Sequence, residues 1–267
     1  IPLISSPAAH NHPGKSVTTI AVYSIKGGVG KTAASVNLAY LAARESAPTL
    51  LCDLDPQGST SFYFRIRPAK RFGKKKFLKG GRQIRKNIRG TDYENLDLLP
   101  STLSFRNLDL LLDRFRRSKK RLKTILRPLQ KEYDFLFLDC PPGMGLVSEN
   151  VFHAVDYLLV PCIPTTLSML TYETLIDFFE SKNLDTSKIL PIFSMVERRK
   201  KIHREILERG TAPNGAFLNT HIPYLSDIEQ MGLRREPVPC YRPRSRAAQS
   251  YECLWQDIKI AMGINAI

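Results

Sequence analysis

The segment Lys26-Gly27-Gly28-Val29-Gly30-Lys31-Thr32 combines the residue types that hold a phosphate chain. Gly27, Gly28 and Gly30 lack a Cβ, so the backbone can turn its N–H groups toward an anion, and the positive end of a following helix adds to them. Lys31 offers a point charge to terminal phosphates, and the Thr32 hydroxyl suits Mg²⁺. The flanking sequence supplies the frame this chemistry needs. Residues 18–25 are a β-branched, apolar run typical of a buried parallel strand, and residues 32–44 repeat apolar and small side chains at helical spacing.

Two aspartates fall where such a loop would use them. Further buried strands read over 49–55, 96–99 and 133–139, and strand candidates follow at 157–163, 189–196 and 216–222. Helical patterns run near 167–181, 198–209 and 247–262. Strands alternating with helices predict an α/β fold, a doubly wound, mostly parallel sheet flanked by helices. At 267 residues one domain over 18–267 is expected, with 1–17 as a flexible extension. Ligands of such sheets sit beyond the carboxyl ends of the strands, where the loop, Asp55 and Asp139 all fall. An isolated aspartate there is as often a helix cap; their joint placement beside a phosphate loop points to catalysis. Asp53, two residues before Asp55 in the same run, is expected to have a supporting role.

A single lysine satisfies a phosphate loop, so Lys26 needs its own reason. The string from Lys26 to Thr32 resembles the deviant Walker A motif of the ParA/MinD family of P-loop ATPases, in which the early lysine reaches across a dimer interface to the partner's ATP. Leu50 to Gly58 resembles the family's second element, in which the aspartate before Pro56-Gln57, here Asp55, prepares the attacking water. Tyr133 to Gly143 resembles its Walker B segment, with Asp139 holding Mg²⁺ through a water. Thr220-His221-Ile222-Pro223-Tyr224 resembles the Ile-Pro turn near the adenine. The resemblance spans about 18–232. It implies ATP and Mg²⁺ as cofactors, Lys26, Lys31 and Asp55 as catalytic residues, and Thr32, Asp55 and Asp139 around the metal. It places residues 27–33, that is Gly27, Gly28, Val29, Gly30, Lys31, Thr32 and Ala33, with Met195 and Pro223, against the nucleotide. Ala33 stands where many members carry a second threonine, which removes one hydroxyl contact.

The surface decides what such a switch would hold. The net charge is +15 and the pI near 9.7, which favours polyanionic partners. Between Arg65 and Arg89 twelve basic residues occur without an acidic one, and a second basic run covers 114–127 in an expected helix. The first is either a solvated, flexible insertion or a phosphate-backbone contact. Arg198, Arg199, Arg234, Arg235, Arg242 and Arg244 are further candidates for sequence-independent DNA contact. The five cysteines lack the close spacing of metal ligation and read as thiols of a reducing compartment. No apolar run approaches the length of a membrane span, and the last thirteen residues carry little positive charge and a glycine, unlike a membrane-binding helix.

The resemblance and the charge together imply a ParA-type positioning ATPase of the cytoplasm and nucleoid. It would form a homodimer on binding ATP, coat DNA, and be released when a cargo-linked activator protein stimulates slow hydrolysis. The alternative is a MinD-like regulator at a membrane. A sequence-specific repressor would need a large N-terminal domain, for which about seventeen residues leave no room, and an iron–sulfur carrier would need clustered cysteines.

Overall fold

Strands that are apolar without alternation need cover on both faces, and the computed structural model of the chain, describing residues 17–115, 118–211 and 215–264, provides it. The extension expected over 1–17 lies, except for Val17, outside the described residues. Strands β1 (Thr18–Val22), β2 (Thr49–Asp53), β3 (Arg89–Gly90), β4 (Leu96–Leu99), β5 (Phe135–Asp139), β6 (Tyr157–Cys162) and β7 (Ile189–Phe193) form one sheet. Its order is β3-β4-β2-β5-β1-β6-β7. Every pairing is parallel except that of β3 with β4.

Among the described residues the helices are α1 (Lys31–Arg44), α2 (Ser59–Tyr63), α3 (Lys74–Lys79), α4 (Arg82–Arg85), α5 (Leu108–Leu112), α6 (Arg121–Leu126) and α7 (Leu146–Ala154), then α8 (Thr166–Ser181), α9 (Lys201–Gly210), α10 (Ser226–Glu229), α11 (Met231–Arg234), α12 (Val238–Tyr241) and α13 (Arg246–Ala261). Helices α1 and α13 cover one face of the sheet, where Leu38, Leu254 and Trp255 pack with Ile20, Leu51 and Phe137. The start of α13 is set by Ser245, whose Oγ accepts from Ala248 N at 3.1 Å. Its buried stripe runs from Ala247 to Lys259 and includes Trp255, edge-on to Phe135 with ring centroids 5.3 Å apart. The opposite face carries α3 to α8, with Phe152 and Phe179 packed with Ala21, Leu50 and Leu138.

The structure departs from the sequence expectations in three places. Residues 216–222 form no strand; Leu218 and Ile222 donate to carbonyls of β7, but Thr220 N–H turns to Asp257 Oδ2 on α13 and one isolated bridge, Val196 to Pro223, remains. The basic segment after Arg65 is not a floppy insertion. Phe72, Phe77, Leu78 and Ile84 recur between its cations, and they bury in the core and fold the segment as α3, α4 and β3. The run 114–127 is helical over 121–126 only, after a 3-10 turn at Ser118–Lys120; Arg116 and Arg117 lie outside the described residues.

Candidate functional site

β1 ends at Val22, and the chain crosses to α1 through the glycine loop. Gly28 and Gly30 adopt φ of 72° and 88°, the left-handed region where a side chain costs energy. At Gly30 an added Cβ would also stand 3.0 Å from Ser194 Oγ, just past β7. Nothing lies within 4 Å of a Cβ built on Gly27 or Gly28. Among the described residues no backbone N–H from Gly27 to Thr32 donates to a protein acceptor. A row of unpaired amides leading into a 14-residue helix is an anion cradle, and its span fits a polyphosphate.

The two lysines of the loop have different surroundings. Lys31 is buried, and its Nζ donates to the Lys26 carbonyl at 2.9 Å. Burial lowers its pKa, while Asp139 and Asp55 oppose that shift. Lys26 is half-buried near Cys162 and has no carboxylate partner among the described residues.

Asp139 closes β5 at full burial, its register partners being Val22 on β1 and Asp53 on β2. Its carboxylate accepts from Thr60 Oγ1 at 2.6 Å, from Ser35 Oγ at 3.3 Å and from the Thr32 hydroxyl. Asp53 accepts from Ser61 N and Oγ at 3.0 and 2.7 Å and from Asp55 N at 3.2 Å. Through that last bond it braces the loop that carries Asp55. Burial raises the pKa of both carboxyls, and Asp139 raises that of Asp53 further. Two buried carboxyls side by side are costly when ionised, and a divalent cation would offset that cost. Among the described residues no three of His, Cys, Asp or Glu converge to cage an ion. One hydroxyl, one or two carboxylates and phosphate oxygens are how Mg²⁺ is held, so this donor set fits a Mg-nucleotide.

Asp55 lies just beyond β2, half-buried, with its Oδ1 accepting from Gln57 N at 2.9 Å. It borders a cleft of about 510 Å³ that continues along Gln57, Pro141, Pro142 and Gly143 to Tyr23. Gly143 ties this wall to the loop stem: its N–H donates to Ile25 O at 3.0 Å, and its carbonyl accepts from Tyr23 Oη at 3.0 Å. On the other side, Val196 N donates to Ile222 O and Tyr224 N to Val196 O, which sets Met195 beside the Pro223 turn. Met195 takes a positive φ of 54° next to Ser194, the residue that abuts Gly30.

Sequence reading missed Ser35, Thr60 and Tyr23. Ser35 had a signal, being one turn beyond Lys31 on the same face of α1. Thr60 had none, because its bond to Asp139 spans 79 residues.

The six candidate arginines are all exposed and lie on three segments of the chain. Arg198 and Arg199 follow β7, with Arg198 close enough to His221 to depress its pKa, after burial and together with Arg246. Arg234 and Arg235 lie at the end of α11, Arg235 stacking 4.0 Å over the Phe62 ring. Arg242 faces Asp227 at 3.9 Å, and Arg244 lies just before α13.

A family model described as an AAA domain matches residues 17–192. The chain is 32% identical over 250 residues to the virulence plasmid ParA family protein pGP5-D of Chlamydia psittaci, covering 90% of this chain and 94% of that one. It is 29% identical to the sporulation initiation inhibitor protein Soj of Bacillus subtilis, covering 90% and 97%. The solved Cyanothece McdA–ATP complex shares the fold, with a TM-score of 0.80 at 20% identity over 95% of this chain and 99% of that one. With its amide cradle, buried lysine and paired strand-end aspartates in place, the chain belongs to the ParA/Soj family of partition ATPases.

Proposed function

We propose that the chain is an ATP-switched dimer that holds duplex DNA non-specifically and positions or segregates a cargo. The observation that carries this reading is the contrast between its two loop lysines: Lys31 is buried against its own loop, whereas Lys26 sits at the rim without a carboxylate partner among the described residues. Lys26 is free to reach the phosphates bound by a second copy, and the partner's equivalent lysine does the same in return.

Mg²⁺, when bound, would neutralise charge on the phosphates. The chain's own groups do the rest by position. The amides from Gly27 to Thr32 and Lys31 hold the phosphates, and Thr32 and Asp139 hold the ion directly or through water. Asp55 orients the attacking water at the mouth of the cleft. Met195 and Pro223 flank the base. Loss of the γ phosphate removes what both subunits grip, so the dimer loosens. Turnover is slow until a cargo-linked activator joins. The exposed arginines and the charge of +15 support phosphate-backbone contact and, with it, the reading of a nucleoid location in the cytoplasm. Among the described residues no helix is long and apolar enough to cross a membrane.

The test is duplex binding with ATP, with ADP and without nucleotide, for the wild type, Lys31→Ala, Lys26→Ala and Asp55→Ala. Binding is expected with ATP alone, absent for both lysine variants, and retained without hydrolysis for Asp55→Ala. Equal affinity in every nucleotide state would overturn the switch, and ATP-dependent binding to anionic liposomes instead of DNA would overturn the partner.

A further inference from the structure

Residues 65–91 and 114–131 hold more than half of the chain's 40 lysines and arginines and no Asp or Glu. They are distant in sequence, yet the fold joins them. Arg121 Nε donates to Leu78 O at 3.0 Å, Gly80 packs against Ile125, and Arg85 donates from Nε to Glu132 at 2.6 Å and from Nη2 to the Pro128 carbonyl at 3.3 Å. Phe77, Leu78, Ile84, Leu122 and Ile125 share one core beneath them. Every exposed residue of α3, α4 and α6 is cationic except Thr124. The bordering carboxylates Glu132 and Glu149 are already paired, with Arg85 and Lys119.

This lobe lies on the opposite face of the sheet from α11, α12 and α13, where Met231, Val238 and Ala247 anchor the segments bearing Arg234, Arg242 and Arg244. Arg65, which bonds the Arg234 carbonyl, stays with that second face. The exposed residues of the three lobe helices include no aromatic ring for stacking single-stranded bases and no apolar anchor of the kind that centres a protein interface, and the exposed ring of Phe115, before α6, is covered by Arg121 at 4.9 Å. A rigid spread of cations alone matches the phosphate backbone of a duplex.

We propose that the α3–α4–α6 lobe is a second duplex-binding surface, so that one protomer holds two DNA segments on opposite faces and bridges them. This rests on the reading of DNA as the partner. The test counts short duplexes, about 10 bp long or one helical turn, bound per protomer by sedimentation with ATP at about 0.15 M salt. The wild type is expected to bind two. Lys79→Gln/Arg82→Gln/Lys123→Gln and Arg234→Gln/Arg244→Gln are each expected to bind one at unchanged melting temperature, while Lys79→Arg/Lys123→Arg keeps two. The lobe variant should also lower the magnitude of the salt slope for its site by about 3, one counterion-release step per lost cation. One duplex per wild-type protomer, whether weakened by both variants or indifferent to the lobe, overturns the second surface and leaves the DNA reading standing. A lobe variant that binds two duplexes but loses stimulation by an acidic protein assigns the lobe to that partner and also overturns it. Absence of any duplex binding removes the DNA reading itself.

Discussion

Replacing Thr60 with valine removes one hydroxyl and keeps the shape of a buried side chain. Its Oγ1 donates to Asp139 Oδ2 at 2.6 Å, whereas Ser35 Oγ reaches the other oxygen at a longer 3.3 Å. A hydrogen bond to a charged acceptor is worth about 1.5–3 kcal/mol, and losing the donor leaves a fully buried carboxylate oxygen without it. For this chain length a loss of about 2 kcal/mol lowers the melting temperature by roughly 4–8 °C. The loss depends on ionisation. Burial pushes the Asp139 carboxyl up to about 6 despite the Thr60 and Thr32 hydrogen bonds that pull it down. At pH 8 the group is ionised and the full penalty applies; at pH 5 it is protonated, and the penalty falls to about 1 kcal/mol or less. Calorimetric or denaturant unfolding of Thr60→Val beside the wild type at both pH values reads this directly. Ser35→Ala serves as the weaker companion, expected to cost less than half as much. A Thr60→Val penalty that is below 0.5 kcal/mol, or the same at both pH values, would show that the hydroxyl does not carry the charge of Asp139.

Gly30→Ala combines a left-handed backbone with a Cβ 3.0 Å from Ser194 Oγ, so it is expected to cost about 1–2 kcal/mol and to abolish ATP binding in calorimetric titration. Phe77→Ala should destabilise by about 3–5 kcal/mol, because that ring is 2% exposed under the basic lobe; a change near zero would return the segment to a solvated insertion. Asp53 predicts the pH dependence of the nucleotide-free protein. Its carboxyl is pushed from 3.8 up to about 8, chiefly by burial and then by Asp139, so the folded state holds a proton that the unfolded state has lost. Its stabilising effect is complete at low pH and disappears as pH rises through about 8. Stability should therefore grow by about 1 kcal/mol from pH 8 to pH 7, a gain absent in Asp53→Asn. Below about 6.5 the depressed His153, His203 and His221 act in the opposite sense.

The parts legible in the sequence are those whose chemistry is local. The glycine loop, its lysines and the strand-end aspartates announce themselves through side chains adjacent in the chain, and unbroken apolar runs mark β1, β2 and β5 as doubly covered strands. Bonds that close over long distances left little trace. Thr60 reaches Asp139 across 79 residues with nothing in its neighbourhood to name that partner, and Ser35, across 104, is marked only by its place one turn beyond Lys31. Residues 216–222 looked like a strand because apolar residues punctuate them, but the turn of Thr220 toward Asp257 outweighs that pattern. Conversely, the charge of 65–89 hid the Phe72, Phe77, Leu78 and Ile84 spacing that folds it. Charge is conspicuous on the page, while burial decides where the backbone goes.

The proposed switch depends on Lys26, and the mass of the protein in solution tests it. Sedimentation equilibrium is measured with and without Mg-ATP for Asp55→Ala, which is expected to hold the nucleotide uncleaved, and for Asp55→Ala/Lys26→Ala. Asp55→Ala is expected to double its mass with ATP, and the double variant is expected to bind ATP and stay a monomer. A double variant that dimerises as readily as its parent, or a parent that stays monomeric when saturated with ATP, would contradict the switch.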